Sequence, residues 1–276
     1  MFFQDIFPNP FEGAKLVVNK MLSNHFQISH NLVMSGGSQP PGYRFGATYI
    51  GTNQRSPSEA YPILFGEIDP SGNLNSRLIH MLNDNWKVQL GAQIQNSKCA
   101  ASQFNVDYVG KNCTSSLVLG NADLLNNSGV TVASFLQNLT PRTALGAELM
   151  CQISGKNVNS VLSFSGRYSS PSDYIISGTV SPTGVQMCYY QKKNEFLQVG
   201  VQVETSLVEA ESTAQFGYQI DMPDSNFTFR GSLDSNWNVA GVLEKKLVPL
   251  PFTMVMSVII GHSKTQTRAG LGLFVG

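Results

Sequence analysis

The sequence predicts an all-β fold, a transmembrane β-barrel of about nineteen strands, on three observations. From about Ala14 to Val275 the residues keep alternating apolar and polar; only 13% are Asp, Glu, Lys or Arg, with a formal net charge of zero; and no apolar run is long enough for a membrane helix. A strand points successive side chains to opposite faces, so such a run makes a ribbon apolar on one side and wet on the other. The charged share is about half that of an ordinary soluble domain. A mean hydropathy of -0.06 nevertheless shows no overall greasiness, as expected where apolar residues alternate with Gln, Asn, Ser and Thr.

Residues 1–13 form a short N-terminal segment ahead of a barrel at 14–276. Met1 to Pro10 has no basic start, and Pro8 and Pro10 break any apolar core, so no secretory signal peptide and synthesis in the cytosol are expected. Strands are predicted near 14–22, 25–34, 43–51, 61–68, 74–82, 85–95, 100–109, 112–120, 129–138 and 142–153. They continue near 158–168, 172–181, 184–192, 196–206, 211–222, 225–234, 236–246, 252–261 and 266–275. One strand per fourteen residues or so suits tilted strands of about nine to eleven residues crossing a bilayer. The connectors Pro40-Pro41-Gly42, Asp69-Pro70-Ser71-Gly72, Ser181-Pro182-Thr183-Gly184 and Met222-Pro223-Asp224-Ser225 carry turn chemistry. Their brevity favours an antiparallel meander, and no linker or shift of composition divides the chain.

The alternation assigns faces. Trp86, Val88, Leu90, Leu162, Phe164, Tyr168, Val199, Val201, Val203, Phe216, Tyr218, Ile220, Phe227, Phe229, Trp237 and Val239 fall on the lipid side. Lys15, Arg44, Glu67, Lys87, Asp107, Glu148, Arg167, Glu204, Asp221, Arg230 and Asp234 fall inward and would line a water-filled pore. Pattern alone equally suits a soluble sandwich whose polar face is solvated. The low charge and the uniform repetition weigh toward the membrane barrel.

Little points to catalysis. Cys99, Cys113, Cys151 and Cys188 never form a Cys-x-x-Cys pair, and His25, His30, His80 and His262 lack metal-helix spacing. Gly270-Leu271-Gly272 has no helix after it to make a dinucleotide site. No enzyme activity, cofactor, metal or nucleic-acid partner is therefore expected. His30 shares its strand phase with Phe26, Ile28, Leu32 and Met34, which sets an ionisable ring on the apolar face. Either the face assignment fails at this residue, or the neutral ring bonds locally, or a protein partner covers that stretch of wall. Trp237 reads as an interfacial anchor or as a contact for a partner's membrane helix.

The last strand, Arg268-Ala269-Gly270-Leu271-Gly272-Leu273-Phe274-Val275, fits polar, any, Gly, any, any, apolar, any, apolar. It resembles the insertion signal by which the sorting machinery recognises mitochondrial β-barrels, with Arg268, Gly270, Leu273 and Val275 as its fixed positions. An unpaired edge of this kind offers its backbone to a partner strand.

Further segments occur together in one order: Val18-Asn19-Lys20, Leu22 to Gln27, Thr48-Tyr49-Ile50-Gly51-Thr52, Leu119-Gly120-Asn121 and Leu145-Gly146-Ala147-Glu148-Leu149. Phe216-Gly217-Tyr218-Gln219, Asp234-Ser235-Asn236-Trp237 and Leu243 to Pro251 follow. On these the chain resembles the channel-forming subunit family of the mitochondrial outer-membrane protein import translocase, related to the voltage-dependent anion channels. The resemblance implies nineteen strands closed by parallel pairing of the first and last, and conduction of unfolded precursors, including presequence-bearing ones. It also implies a second copy of the barrel, a receptor subunit and small single-span subunits as partners, with Trp237 at a membrane-side contact and His30 toward the contact between barrels. Members of the family carry a longer N-terminal extension and a helix threading the lumen. The alternatives are a small-solute or anion channel of the same superfamily and a soluble β-sandwich binding module.

Overall fold

The computed structural model describes residues 6–34, 41–56, 59–123, 128–155, 157–171, 173–262 and 266–276; Pro40 lies outside them. Nineteen strands run in chain order. They are β1 (Gly13–Ser23), β2 (Phe26–Met34), β3 (Gly42–Ser56), β4 (Glu59–Ile68), β5 (Leu74–Met81), β6 (Trp86–Gln95), β7 (Lys98–Val109), β8 (Cys113–Asp123), β9 (Ser128–Asn138) and β10 (Thr143–Ser154). Then come β11 (Asn157–Ser169), β12 (Tyr174–Ser181), β13 (Gly184–Lys192), β14 (Leu197–Ser206), β15 (Glu211–Met222), β16 (Phe227–Asp234), β17 (Asn238–Lys246), β18 (Phe252–Gly261) and β19 (Gln266–Val275). The only helical segment among the described residues is the 3₁₀ turn Pro223–Ser225, closed by Asn226 in the left-handed region.

All nineteen strands belong to one sheet, and β1 pairs with both β2 and β19. The sheet therefore closes into a barrel. Neighbouring strands are antiparallel, whereas β1 and β19 are parallel, in register from Gly13 with Gly270 to Val18 with Val275. An odd number of alternating strands requires this, because the first and last then run the same way. Register shifts interrupt the ladder between β3 and β4, β6 and β7, and β8 and β9.

The chain divides into two compact units, 19–30 with 43–165 and 1–18 with 31–42 and 166–276. Directly opposed residues share a face, so register turns the alternation along each strand into rows across strands. In the first unit Leu64, Leu78, Leu90, Phe104 and Leu119 make one apolar row, and Lys87, Asp107, Ser116, Ser134 and Glu148 make one polar row. In the second, Tyr189, Val201, Phe216, Leu233, Val239 and Ile260 form an apolar row. Gln202, Gln215 and Asp234 form a polar one there.

The polar face is not polar throughout, which corrects the uniform interior expected from alternation. In the second unit Gly217, Ser232, Val242, Val255, Ser257 and Gly270 lie on it and floor a shallow apolar groove. The segment 6–12, ahead of β1, lies in that groove. Ile6 is fully buried, and the Phe7 ring covers Gly217, where a Cβ would come within 2.8 Å of it. The Phe11 N–H donates to Ser257 Oγ at 3.2 Å, and the same hydroxyl donates back to the Phe11 carbonyl, beside Gly270. Alternation fixes only which face a residue takes. Small residues at these positions let a second layer of chain approach the sheet.

Trp237 also departs from expectation. It lies in the turn between β16 and β17 and not on a strand, with φ 57° and its N–H donating to the Asp234 carbonyl at 3.0 Å. A left-handed residue there reverses the chain, and β17 starts one residue later.

Candidate functional site

The charged side chains of the polar face form the candidate site. In the unit that holds β3 to β10, Lys87 stands opposite Asp107, and the row from Asp107 passes through Ser116 and Ser134 to Glu148. The two serine hydroxyls are bonded at 2.6 Å. Arg77 donates to Gln89 Oε1 at 2.7 Å and Gln89 donates to Asp107 Oδ2 at 3.3 Å, so a carboxamide links the two charges. Glu67 stands opposite Gly46 and Asn75; Arg44 shares the strand phase of Gly46 on β3 and is half-buried.

In the other unit Arg230 lies between two acceptors. It donates to Glu244 Oε1 at 2.7 Å and to Gln219 Oε1 at 3.2 Å, while Gln219 donates to Asp221 Oδ2 at 2.8 Å. Both members of the Arg230–Glu244 pair remain partly exposed, so solvent screens much of their attraction. Glu204, opposite Gln186 and Thr213, is exposed, as is Arg167 on β11. Asp234 accepts from the Ser235 hydroxyl at 3.3 Å. The Lys15 ammonium lies 6.0 Å from the centre of the Phe274 ring. Of the predicted charges, Lys87, Asp107 and Glu148 thus share one row across strands, and Asp221 and Arg230 are joined through Gln219.

Arg77 and Glu244, charged residues of this face, escaped the sequence reading. Arg77 precedes Leu78 and Ile79, whose adjacency breaks the alternation locally. Glu244 shares the phase of Ala240 and Val242, and those are apolar because β17 helps to floor the groove. The strand partner Thr228, opposite Glu244, carries the correct phase.

On the apolar face His30 bonds locally: its Nδ1 lies 2.6 Å from the Tyr43 hydroxyl, and its ring packs edge-on against Phe45 with centroids 5.4 Å apart. Trp237 is exposed at the end of the sheet. Arg268, Gly270, Leu273 and Val275 occupy the closing strand; Gly270, Leu273 and Val275 face Gly13, Leu16 and Val18 across the parallel seam. Arg268 comes within 3.8 Å of the Glu12 carboxylate. The four cysteines are free thiols, and among the described residues no cluster of His, Cys, Asp or Glu is arranged to hold a metal.

A closed sheet with an exposed apolar face and a charged opposite face defines a membrane β-barrel of the porin class. The model of the eukaryotic porin family matches residues 3–272. The chain is 48% identical over 277 residues to the mitochondrial import receptor subunit TOM40 homolog 2 of Drosophila melanogaster, covering 99% of this chain and 81% of that one. It is 44% identical to the TOM40 homolog of Caenorhabditis elegans (99% and 91% covered) and 41% identical to that of Homo sapiens (99% and 75%). The chain belongs to this TOM40 family of eukaryotic porins.

Proposed function

We propose that the chain is the protein-conducting barrel of the mitochondrial outer-membrane import translocase and passes unfolded precursors through its lumen. The observation that carries this reading is similarity to TOM40 homologues over 99% of the chain, on a sheet that closes. The polar face lines the path, and the apolar face meets lipid and partner subunits. Those partners are a receptor, small single-span subunits and a second copy of the barrel, with His30 and Trp237 among the contacts.

Presequences are rich in Arg and poor in acids. Glu67, Asp107, Glu148, Glu204, Asp221 and Asp234 attract them, while Lys15, Arg44, Lys87, Arg167 and Arg230 moderate that attraction. A pair of unit charges about 4 Å apart gains only about 1 kcal/mol in water. Weak contacts suit a conduit, which must release what it binds. Arg230, held by Glu244, belongs to the wall more than to the moving chain.

Combining Glu148→Lys, Glu204→Lys and Asp234→Lys should slow import of presequence-bearing precursors into isolated mitochondria several-fold at an unchanged level of assembled barrel. Unchanged import would overturn the electrostatic mechanism. Planar-bilayer recording checks the channel itself: cation preference with block by a presequence peptide supports it, and anion preference without block assigns a small-solute pore instead.

A further inference from the structure

In the unit that holds β3 to β10, a depression of about 530 Å³ opens on strands β4 to β9. Across these strands Phe65, Arg77, Gly91, Gln103 and Gly120 stand each opposite the next, on the same phase as Lys87 and Asp107. Two glycines thus leave a gap in a row of side chains. Neither is there for want of space: a Cβ on Gly91 would meet nothing nearer than Gln103 Cβ at 3.8 Å, and one on Gly120 nothing nearer than the Val130 carbonyl at 3.8 Å. The gap is room the wall itself does not use.

The lining has one sign of charge. Among the described residues Arg77 is its only charged side chain, and Asn75, Gln89, Gln93, Gln103 and Asn105 add carboxamides. The nearest acids in register, Glu67 and Asp107, stand outside it. Gln89 Oε1 accepts from Arg77 at 2.7 Å and is itself tied to Asp107, which holds the guanidinium in place at the cost of one of its five donors. Asn105 carries a buried side-chain oxygen with no hydrogen-bond partner. Such an acceptor is costly until a donor meets it.

We propose that this depression binds a small phosphate ester of a polyhydroxy compound, a ligand of the sugar phosphate class. The Arg77 fork takes the phosphate oxygens, a match of planar donors to an oxyanion. Each carboxamide offers donors and an acceptor together, as vicinal hydroxyls require, and one ligand hydroxyl donates to Asn105. The sugar carbons lie against Phe65 and fill the glycine gap. The volume is that of an ordinary small-molecule site, and the site stands whether or not the barrel conducts precursors.

The test is titration calorimetry of the full chain in nanodiscs with ribose 5-phosphate. The native chain should bind it with a Kd of about 1 mM or tighter. Arg77→Gln should weaken binding at least about tenfold, because the charged donor is lost. Gly91→Val, which fills the gap and leaves Arg77 in place, should abolish it. Protease resistance of the barrel is measured for each variant, and Gly91→Ala, whose Cβ meets only ordinary contacts, should weaken binding in the same direction if the valine chain does not fold. Inorganic phosphate and free ribose, titrated separately, should each bind at least about tenfold more weakly than the ester. No binding by the native chain, or equal binding by the folded Arg77→Gln chain, would overturn the proposal, and so would phosphate alone binding as tightly as the ester.

Discussion

Replacing Ser257 by Ala isolates the clamp on the segment 6–12. The native hydroxyl makes two hydrogen bonds to Phe11, one from its N–H and one to its carbonyl, at a position 1% exposed. Each intramolecular bond of this kind is worth about 1 kcal/mol net. Alanine removes both and leaves the packing of Phe7 on Gly217 untouched, so docking should weaken by about 2 kcal/mol, or roughly 30-fold in the equilibrium. Amide hydrogen exchange of the chain in nanodiscs reads this directly: protection of the Phe11 amide should fall by about that factor. The β18 amides are held by β17 and β19 through main chain alone and should keep theirs. Unchanged protection at Phe11 would refute the clamp. A uniform loss through β18 and β19 would show instead that Ser257 supports the wall.

Two further outcomes are expected. In the turn between β4 and β5 the Asp69 carboxylate accepts from the Asn73 N–H and side-chain amide, each at 2.8 Å, and the backbone bond is the main cause holding its pKa below the ordinary 3.8. A depressed carboxylate contributes its stability fully above that ordinary value and loses it as pH falls through the folded one. The Asn73 amide shift in an acid titration by NMR should therefore turn over below pH 3.8, and a midpoint at or above it would contradict the geometry. In the closing strand, Leu273→Asp with Val275→Asp places charge on the seam beside Leu16 and Val18, and should abolish accumulation of carbonate-resistant barrel after import into mitochondria. Full accumulation would remove these two positions from the insertion signal.

The fold was legible because each strand meets two solvents, and the run from Leu197 to Ser206 records both faces residue by residue. What alternation records is phase, and only phase. The row joining Lys87 to Glu148 depends on register across β6 to β10, which no single segment carries. The groove was hidden for a related reason: Gly217, Ser232 and Ser257 read as weak polar or neutral positions of a wet face, and Ile6, Phe7 and Phe11 have no period because two prolines separate them. Small residues recurring on the polar phase of β15 to β19 were the available signal. Trp237 was misplaced by extending the alternation of β17 two residues back, into a turn that demands positive φ.

The seam between β1 and β19 also orders the making of the molecule. Its six register pairs join residues from nearly opposite ends of the chain, so their loop-closure cost is among the largest in the fold. Until β19 reaches it, the leading edge of β1 has no mate, and unpaired backbone cannot be left facing hydrocarbon. Some other edge must shield it in the interval. A template strand paired to the open edge until β1 and β19 meet would supply that shield, and the line sealed last is the natural point at which it would let go.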